Sequence, residues 1–456
     1  MQTHEPQGPE TGPGQEDREQ AAAVSSCLPR PGAHRPRQPL QPTGPAGEAA
    51  FPFWRRNTAI LAAGVFIAQI AFSMVAAFLP IYLQQLGLHR GVSLWAGMTF
   101  SVTSLTAAVM APVWGLLADR HGKRIMLVRA GGGLAVTYFF MGLAHSHVEL
   151  FLWRAVSGIL SGFIPASIML AATNTPENRL ASALGAIQTA SAVGMITGPL
   201  VGGAMAQALG IRGAFIGSAC LLALATLVSA LQVKEKVQRQ EHPPTLMQGI
   251  RESMADPALR QLLLALLFVQ SGVLMVQPTL PLLIARMNPQ NVELVTGAIF
   301  SLVGLSTALG APLVSHRVER SGAKPVFMAG LWLATVLSGL QGLAASVWSL
   351  AGIRFAFGFA NAAIAITGNV LIATYSDPQD RGRNFGLLNS VNYLGAVLGP
   401  LLGGAVGEHL GLRASFFSSS AVLAVAALTA LPLLRAGQVP APAQAGHDAQ
   451  TALGGK

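Results

Sequence analysis

Twelve times between Asn57 and Leu434 the chain runs apolar for about 20 residues, the length a helix needs to cross roughly 30 Å of hydrocarbon. Lipid leaves few solutions for such a chain, because every backbone polar group must be satisfied inside a helix or a closed barrel, and runs of this length fit the helix. The spans expected are 57–83, 94–117, 125–144, 148–171, 180–208 and 212–232, then 259–284, 293–316, 325–345, 349–373, 381–409 and 413–434. Composition agrees. Hydrophobic residues make up 52% and charged residues 11%, far below the roughly 25% charged residues of soluble domains. The fold class expected is all-α integral membrane.

The ends and the middle are different. Residues 1–54 are rich in Pro, Gly, Gln and charge and lack the apolar stretch of a signal peptide, so they read as a disordered cytoplasmic tail, with 436–456 as a flexible C-terminal tail. Residues 234–257, KEKVQRQEHPPTLMQGIRESMADP, are too polar to enter lipid. A central loop at 234–258 therefore separates a six-helix bundle at 55–233 from a second at 259–435. The net charge of +10 sits in short clusters between apolar runs, which argues for topology and a bilayer partner and against nucleic acid. If the spans alternate, most Lys and Arg fall on the side of both termini and the central loop, and that side is expected to be cytoplasmic. Cys27 and Cys220 imply no disulfide framework.

The halves are duplicates. GPLVGGAMAQALGIRGAF at 198–215 returns as GPLLGGAVGEHLGLRASF at 399–416, APVWGLLADRHGKR at 111–124 as APLVSHRVERSGAK at 311–324, and WRAVSG at 153–158 as IRFAFG at 353–358. Gln69 and Pro80 likewise return as Gln270 and Pro281. Six spans is an even number, so both copies enter from the same side, and the repeat is parallel about an axis along the membrane normal.

Three local patterns carry a resemblance. The loop after the second span holds Gly115, Asp119, Arg120, Gly122, Lys123 and Arg124 in the spacing G-x-x-x-D-R-x-G-R-R, with Lys123 replacing an arginine. The fourth span carries Arg154 and Gly158, and the fifth carries Gly194, Gly198, Pro199, Gly202 and Gly203 as G-x-x-x-G-P-x-x-G-G. Together these resemble the major facilitator superfamily, in particular its twelve-span drug:proton antiporter branch. Stretches such as FLPIYLQQLG, WAGMTFS and GLRASFF resemble the MdtG-like multidrug efflux group. The resemblance implies a transporter and not an enzyme, acting by alternating access as a monomer in the bacterial inner membrane. It implies proton antiport, with a proton gradient and no cofactor.

Each pattern also has a physical reading. Topology anchoring explains the basic residues of the first loop but not Asp119, which is expected to pair with Arg120 or the N-terminus of span eleven near Arg381 and Arg383, latching the cytoplasmic side. Arg154 and Arg354 lie within spans, where an arginine costs about 2.5–3.5 kcal/mol on insertion scales and faces a wet cavity or a partner. In the glycine motif the missing side chains allow close helix approach, and Pro199 removes a backbone donor.

No carboxylate lies at the centre of any span; the acids near membrane are Asp119, Glu149, Glu293, Glu319, Asp377, Asp380 and Glu408, all at ends or loops. A permanent cation would find no buried counter-ion, so neutral, amphipathic or anionic substrates are expected. The candidate cavity is polar and uncharged: Gln69, Phe72, Ser73, Gln188, Gln270, Gln277, Asn361, Asn369, Asn389, Asn392 and Tyr393 lie in spans that surround the cavity in the family it resembles. Interhelical bonding is the competing role for each amide. The absence of a phosphate-binding Gly-rich loop disfavours an ATP-driven pump, and the separation of His145 and His147 makes a poor metal site. An importer of sugars or organic anions, and a non-transporting receptor, are the alternatives.

Overall fold

The computed structural model describes residues 53–233, 235, 256–288, 290–377 and 380–435. The expectations for both tails and nearly all of the central loop lie outside them. Among the described residues, helices account for all regular structure, and they form the twelve spans expected from the sequence.

Span one is Trp54–Gln85, span two Val92–His121 and span three Lys123–Leu143. Span four is two helices, His147–Leu160 and Phe163–Thr173. Spans five and six form one helical stretch, Glu177–Gln232, which Gly210 breaks at φ 73°, giving 177–209 and 211–232. A side chain with Cβ is strained there, so a single glycine does the work of a loop. Span seven is Pro257–Met275 and Leu280–Met287. Spans eight to twelve are Val292–Ser321, Ala323–Leu343, Val347–Thr374, Arg381–His409 and Ala414–Arg435. The expected bounds hold to within a few residues, and the two interruptions were not expected. We call the side holding Trp54 and Arg435 the near face and the opposite side the far face.

Helix ends follow local chemistry. Ser146 accepts a hydrogen bond from Glu149 N–H, and Ser346 forms a capping box with Ser349, so spans four and ten start alike at the far face. Asp256 caps span seven, with Pro257 at its first position. At the near face, the Glu235 carboxylate accepts from the N–H groups of Lys123 (2.8 Å) and Arg124 (3.0 Å), filling the open N-terminus of span three.

Each half has its own core. Phe78, Tyr82, Phe163 and Phe215 are fully buried in the first, and Tyr82 Oη donates to the Met141 carbonyl at 2.9 Å. Phe327, Leu331, Ile372 and Leu423 fill the second. The first core runs on through Leu280, Leu283, Ile299 and Phe416 of the second half.

Candidate transport pathway and gates

The halves meet along two seams, span two against span eleven and span five against span eight. Both seams bring backbone against backbone at their glycines. A Cβ added to Gly97 would strike the Pro400 carbonyl and Gly404, and one added to Gly404 would strike the Ser93 carbonyl and Gly97. In the other seam a Cβ on Gly297 would strike the Pro199 carbonyl and one on Gly203 the Glu293 carbonyl. The two seams are copies, since Gly97 and Gly297 lie 200 positions apart and Pro199 and Pro400 lie 201 apart.

These contacts explain the glycine motif of span five. Gly194, Gly198 and Gly202 are four residues apart and share one helix face, which packs on Phe66, Ile70, Ser73 and Met74 of span one. Pro199 and Gly203 point the adjacent face at span eight. In span eleven Gly395, Gly399 and Gly403 pack on Gln270, Ser271 and Met275 of span seven in the same way.

Both seams lie toward the far face. At the near-face ends of spans two, five and eleven, a Cβ added to Gly115, Gly185, Gly382 or Gly386 meets nothing within 4 Å, and Gln188 and Asn389 are exposed. The conformation is closed at the far face and splayed at the near face. In the near-face signature, Gly122 takes φ 95° and lies against the Glu235 carboxylate, Arg124 donates to the Ala230 carbonyl, and Gly115 and Arg120 lie in the last turns of span two, Gly115 half-buried and Arg120 exposed. The side chain of Asp119 lies outside the described residues. Arg383, near its expected partner site, pairs with Asp380 at 3.1 Å.

Arg154 and Arg354 occupy matched positions seven residues into spans four and ten, and both are buried. Arg154 lies 5.9 Å from the ring centroid of Phe100, and Arg354 5.4 Å from that of Phe300. Each guanidinium also meets a polar group from the preceding span: Tyr138 interacts with Arg154, and Gln341 Oε1 accepts from Arg354 Nη1 at 3.1 Å. The Nε of each is buried without a hydrogen-bond partner among the described residues. Two positive charges are thus held by aromatic faces and neutral dipoles.

The candidate cavity residues divide. Gln69 and Ser73 are buried in the packing of span one on span five, where Ser73 Oγ donates to the Gln69 carbonyl at 2.7 Å. Gln270 packs on Gly395, and Asn361 Nδ2 reaches Thr307 Oγ1 at 3.5 Å. Phe72, Gln188, Asn369 and Asn389 are exposed, while Gln277, Asn392 and Tyr393 are half-buried, Gln277 within the break of span seven.

A family model described as Major Facilitator Superfamily matches residues 61–304 and 262–453. The chain belongs to the major facilitator superfamily. Among curated relatives in that superfamily, the Multidrug resistance protein MdtG of Enterobacter lignolyticus is 34% identical over 409 residues, covering 88% of this chain and 97% of the relative. MdtG of Dickeya zeae is 34% identical over 378 residues, covering 82% and 93%. Of solved structures, the nucleoside transporter NupG shares the fold at TM-score 0.73 and 15% identity, covering 83% of this chain and 99% of that one. A bacterial homologue of the human lysosomal transporter Spinster, captured inward-facing, superposes at 0.71 with 18% identity, covering 86% and 99%. The protein is a multi-pass membrane transporter.

Several working residues escaped the sequence reading. Gly97 and Phe100 return as Gly297 and Phe300 at the 200-residue offset of the repeat, and Arg129 carries a charge within span three. Arg129 Nη1 and Nη2 donate to the carbonyls of Leu160 (3.4 Å) and Ser161 (3.2 Å), and its guanidinium stacks 3.5 Å from the Trp114 ring centroid. Trp114 Nε1 donates to the Ile159 carbonyl at 2.6 Å. The two side chains satisfy the carbonyls freed where span four breaks.

Proposed function

We propose that this chain is a secondary active multidrug exporter that moves small amphipathic, neutral or anionic toxic compounds out of a bacterial cell by proton antiport, with no cofactor beyond the gradient. The observation that carries the reading is the asymmetry of the seams: glycine contacts close the far face while the near-face ends of the same helices stand apart. With the near face cytoplasmic, both termini inside and the protein in the inner membrane as a monomer, this is the loading state of an exporter. Transport then requires the halves to rock until the near face closes and the far seams part. Spans two, five, eight and eleven carry that motion, since they form the seams.

Buried charge supports the substrate class. Arg154 and Arg354 make the interior positive, and neither bonds a carboxylate among the described residues. Relatives named as multidrug resistance proteins support export. Asp119 then closes the near face in the other state, capping span eleven for about 0.3–1 kcal/mol, or up to roughly 2 if partly buried.

The test uses proteoliposomes with an imposed pH difference of either sign and three probes: a small organic anion, a bile-salt-like amphiphile and a lipophilic cation. Carriers whose near face is external should accumulate the anion or the amphiphile when the lumen is acidic. Selective accumulation of the cation overturns the charge argument, and movement indifferent to the gradient overturns antiport. Asp119→Asn should slow gradient-driven export; unchanged export removes the latch.

A further inference from the structure

Among the described residues, four hydrogen bonds pass from one half of the molecule to the other, and all lie on the far-face side. Glu408 Oε1 accepts from Gly91 N–H at 2.9 Å, and Oε2 accepts from Ser93 Oγ at 2.9 Å. Gln207 Nε2 donates to Asn291 Oδ1 at 2.9 Å, and Ser101 Oγ donates to the Val397 carbonyl at 2.6 Å. Glu408 and Gln207 stand 201 positions apart, and Gly91 and Asn291 stand 200 apart. The contact thus exists in two copies, one at the far end of each seam.

The copies differ in charge. At the end of span five a neutral amide meets a neutral amide. At the end of span eleven a carboxylate meets the N-terminus of span two, where unpaired N–H groups and the helix dipole favour an anion. Gly91 at φ 72° is the N-cap residue, and the Ser93 side chain beside it is buried. Ionic acceptors make hydrogen bonds roughly twice as strong as neutral ones, so the two seams are fastened unequally. A pocket of about 340 Å³, lined in part by Gln84, His89, Arg286 and Glu408, opens beside the carboxylate. Solvent on the far side reaches it.

We propose that Glu408 is a positioning residue for transport: its carboxylate fastens the last turn of span eleven to the first turn of span two and sets the fraction of carriers whose far face is closed. Both bonds join opposite halves across the closed seam and are lost when the halves part, and only such a difference between states shifts their populations. The proposal rests on alternating access as the mode of action. It deepens that reading by placing the outer gate's adjustable contact on one side chain, at the charged copy of a duplicated pair.

The gate is tested without any substrate. Spin labels at Leu209→Cys and Leu410→Cys, exposed far-face positions of opposite halves, are introduced with Cys27→Ser and Cys220→Ser, and the distance distribution is read in lipid nanodiscs. Glu408→Ala should raise the ratio of long to short distances about tenfold, and Ser93→Ala about threefold. Glu408→Gln should stay within about threefold of the parent, because an amide at that position reproduces the pairing already made by Gln207. Distances unchanged in both Glu408→Ala and Ser93→Ala overturn the proposal, and if Glu408→Ala fails to fold, Ser93→Ala decides. In vesicles Glu408→Ala should raise KM for substrate offered at the near face, since fewer carriers stand ready there, and Glu408→Gln should restore it. A chain that transports none of the probes yet shows the distance shift leaves the gate standing and removes the exporter reading.

Discussion

Spans four and ten are copies of one segment, yet only span four is interrupted. Its break falls at Ser161 and Gly162, with Gly162 at φ 123°, a conformation that residues with a Cβ adopt only under strain. The copy of Gly162 is Ala362, and the residues that hold the freed carbonyls, Trp114 and Arg129, correspond to Val314 and Ala329. Nothing at those positions of the second half holds a break open, and span ten runs unbroken from Val347 to Thr374. Spans one and seven show the reverse. Span seven stops being helical between Met275 and Leu280 around Pro278, whose counterpart in the continuous span one is Ala77. A proline cannot donate to the ladder and pushes the preceding residue out of the helical region. The seams and the packing of spans five and eleven on spans one and seven share their glycines between the halves, and the halves differ where spans four and seven are interrupted.

The sharpest way to break this contrast is at the seams, where the halves should respond alike. Gly97→Leu and Gly297→Leu each drive a side chain into a facing carbonyl; overpacking costs about 1–3 kcal/mol and here acts on the closed state. Both should lower vesicle transport more than tenfold with the protein still folded. A large loss from one and none from the other would show that the seams are not equivalent.

Inside the bundles the halves should respond differently. Arg129→Ala leaves two carbonyls without their charged donor and should cost about 1.5–3 kcal/mol, read as a lower Tm in lipid, whereas Ala329→Ser at the matched position should change it little. Gly162→Ala should cost about 1–3 kcal/mol in backbone strain, and Ala362→Gly no more than about 1 kcal/mol through helix propensity. Equal effects would erase the distinction between spans four and ten. The smallest effect is expected from Pro278→Ala, which gives span seven the residue of span one. Stability should move by no more than about 1 kcal/mol, while the backbone N–H gained at position 278 should be protected from hydrogen exchange as the break heals.

Span number, the division into halves and the superfamily were all legible in the sequence, because hydrophobic run length and a 200-residue repeat are one-dimensional signals. The sequence reading that the missing side chains of the glycine motif allow close helix approach agrees with the contacts of Gly194, Gly198 and Gly202 on span one. The candidate cavity was not legible. Gln69 carries the same amide chemistry as Gln188 and Asn389, yet it is buried with Ser73 between spans one and five and the others are exposed. Which face of a helix an amide occupies depends on packing partners more than 100 residues away, and residue type does not record it. Arg129 was hidden for a related reason, since the break it serves becomes visible only when spans two, three and four are placed together.

The seams have a further consequence because they are built from glycine and main-chain carbonyls. A gate of interlocked long side chains must freeze rotamers each time it shuts and release them each time it opens, at up to about 1.5–2 kcal/mol for each long polar side chain. Glycine has no rotamers to lose. Closing such a seam leaves side-chain entropy almost untouched, and opening it recovers almost none, so the two ends of the cycle stay close in free energy. A small, localised contact is then enough to tip the balance.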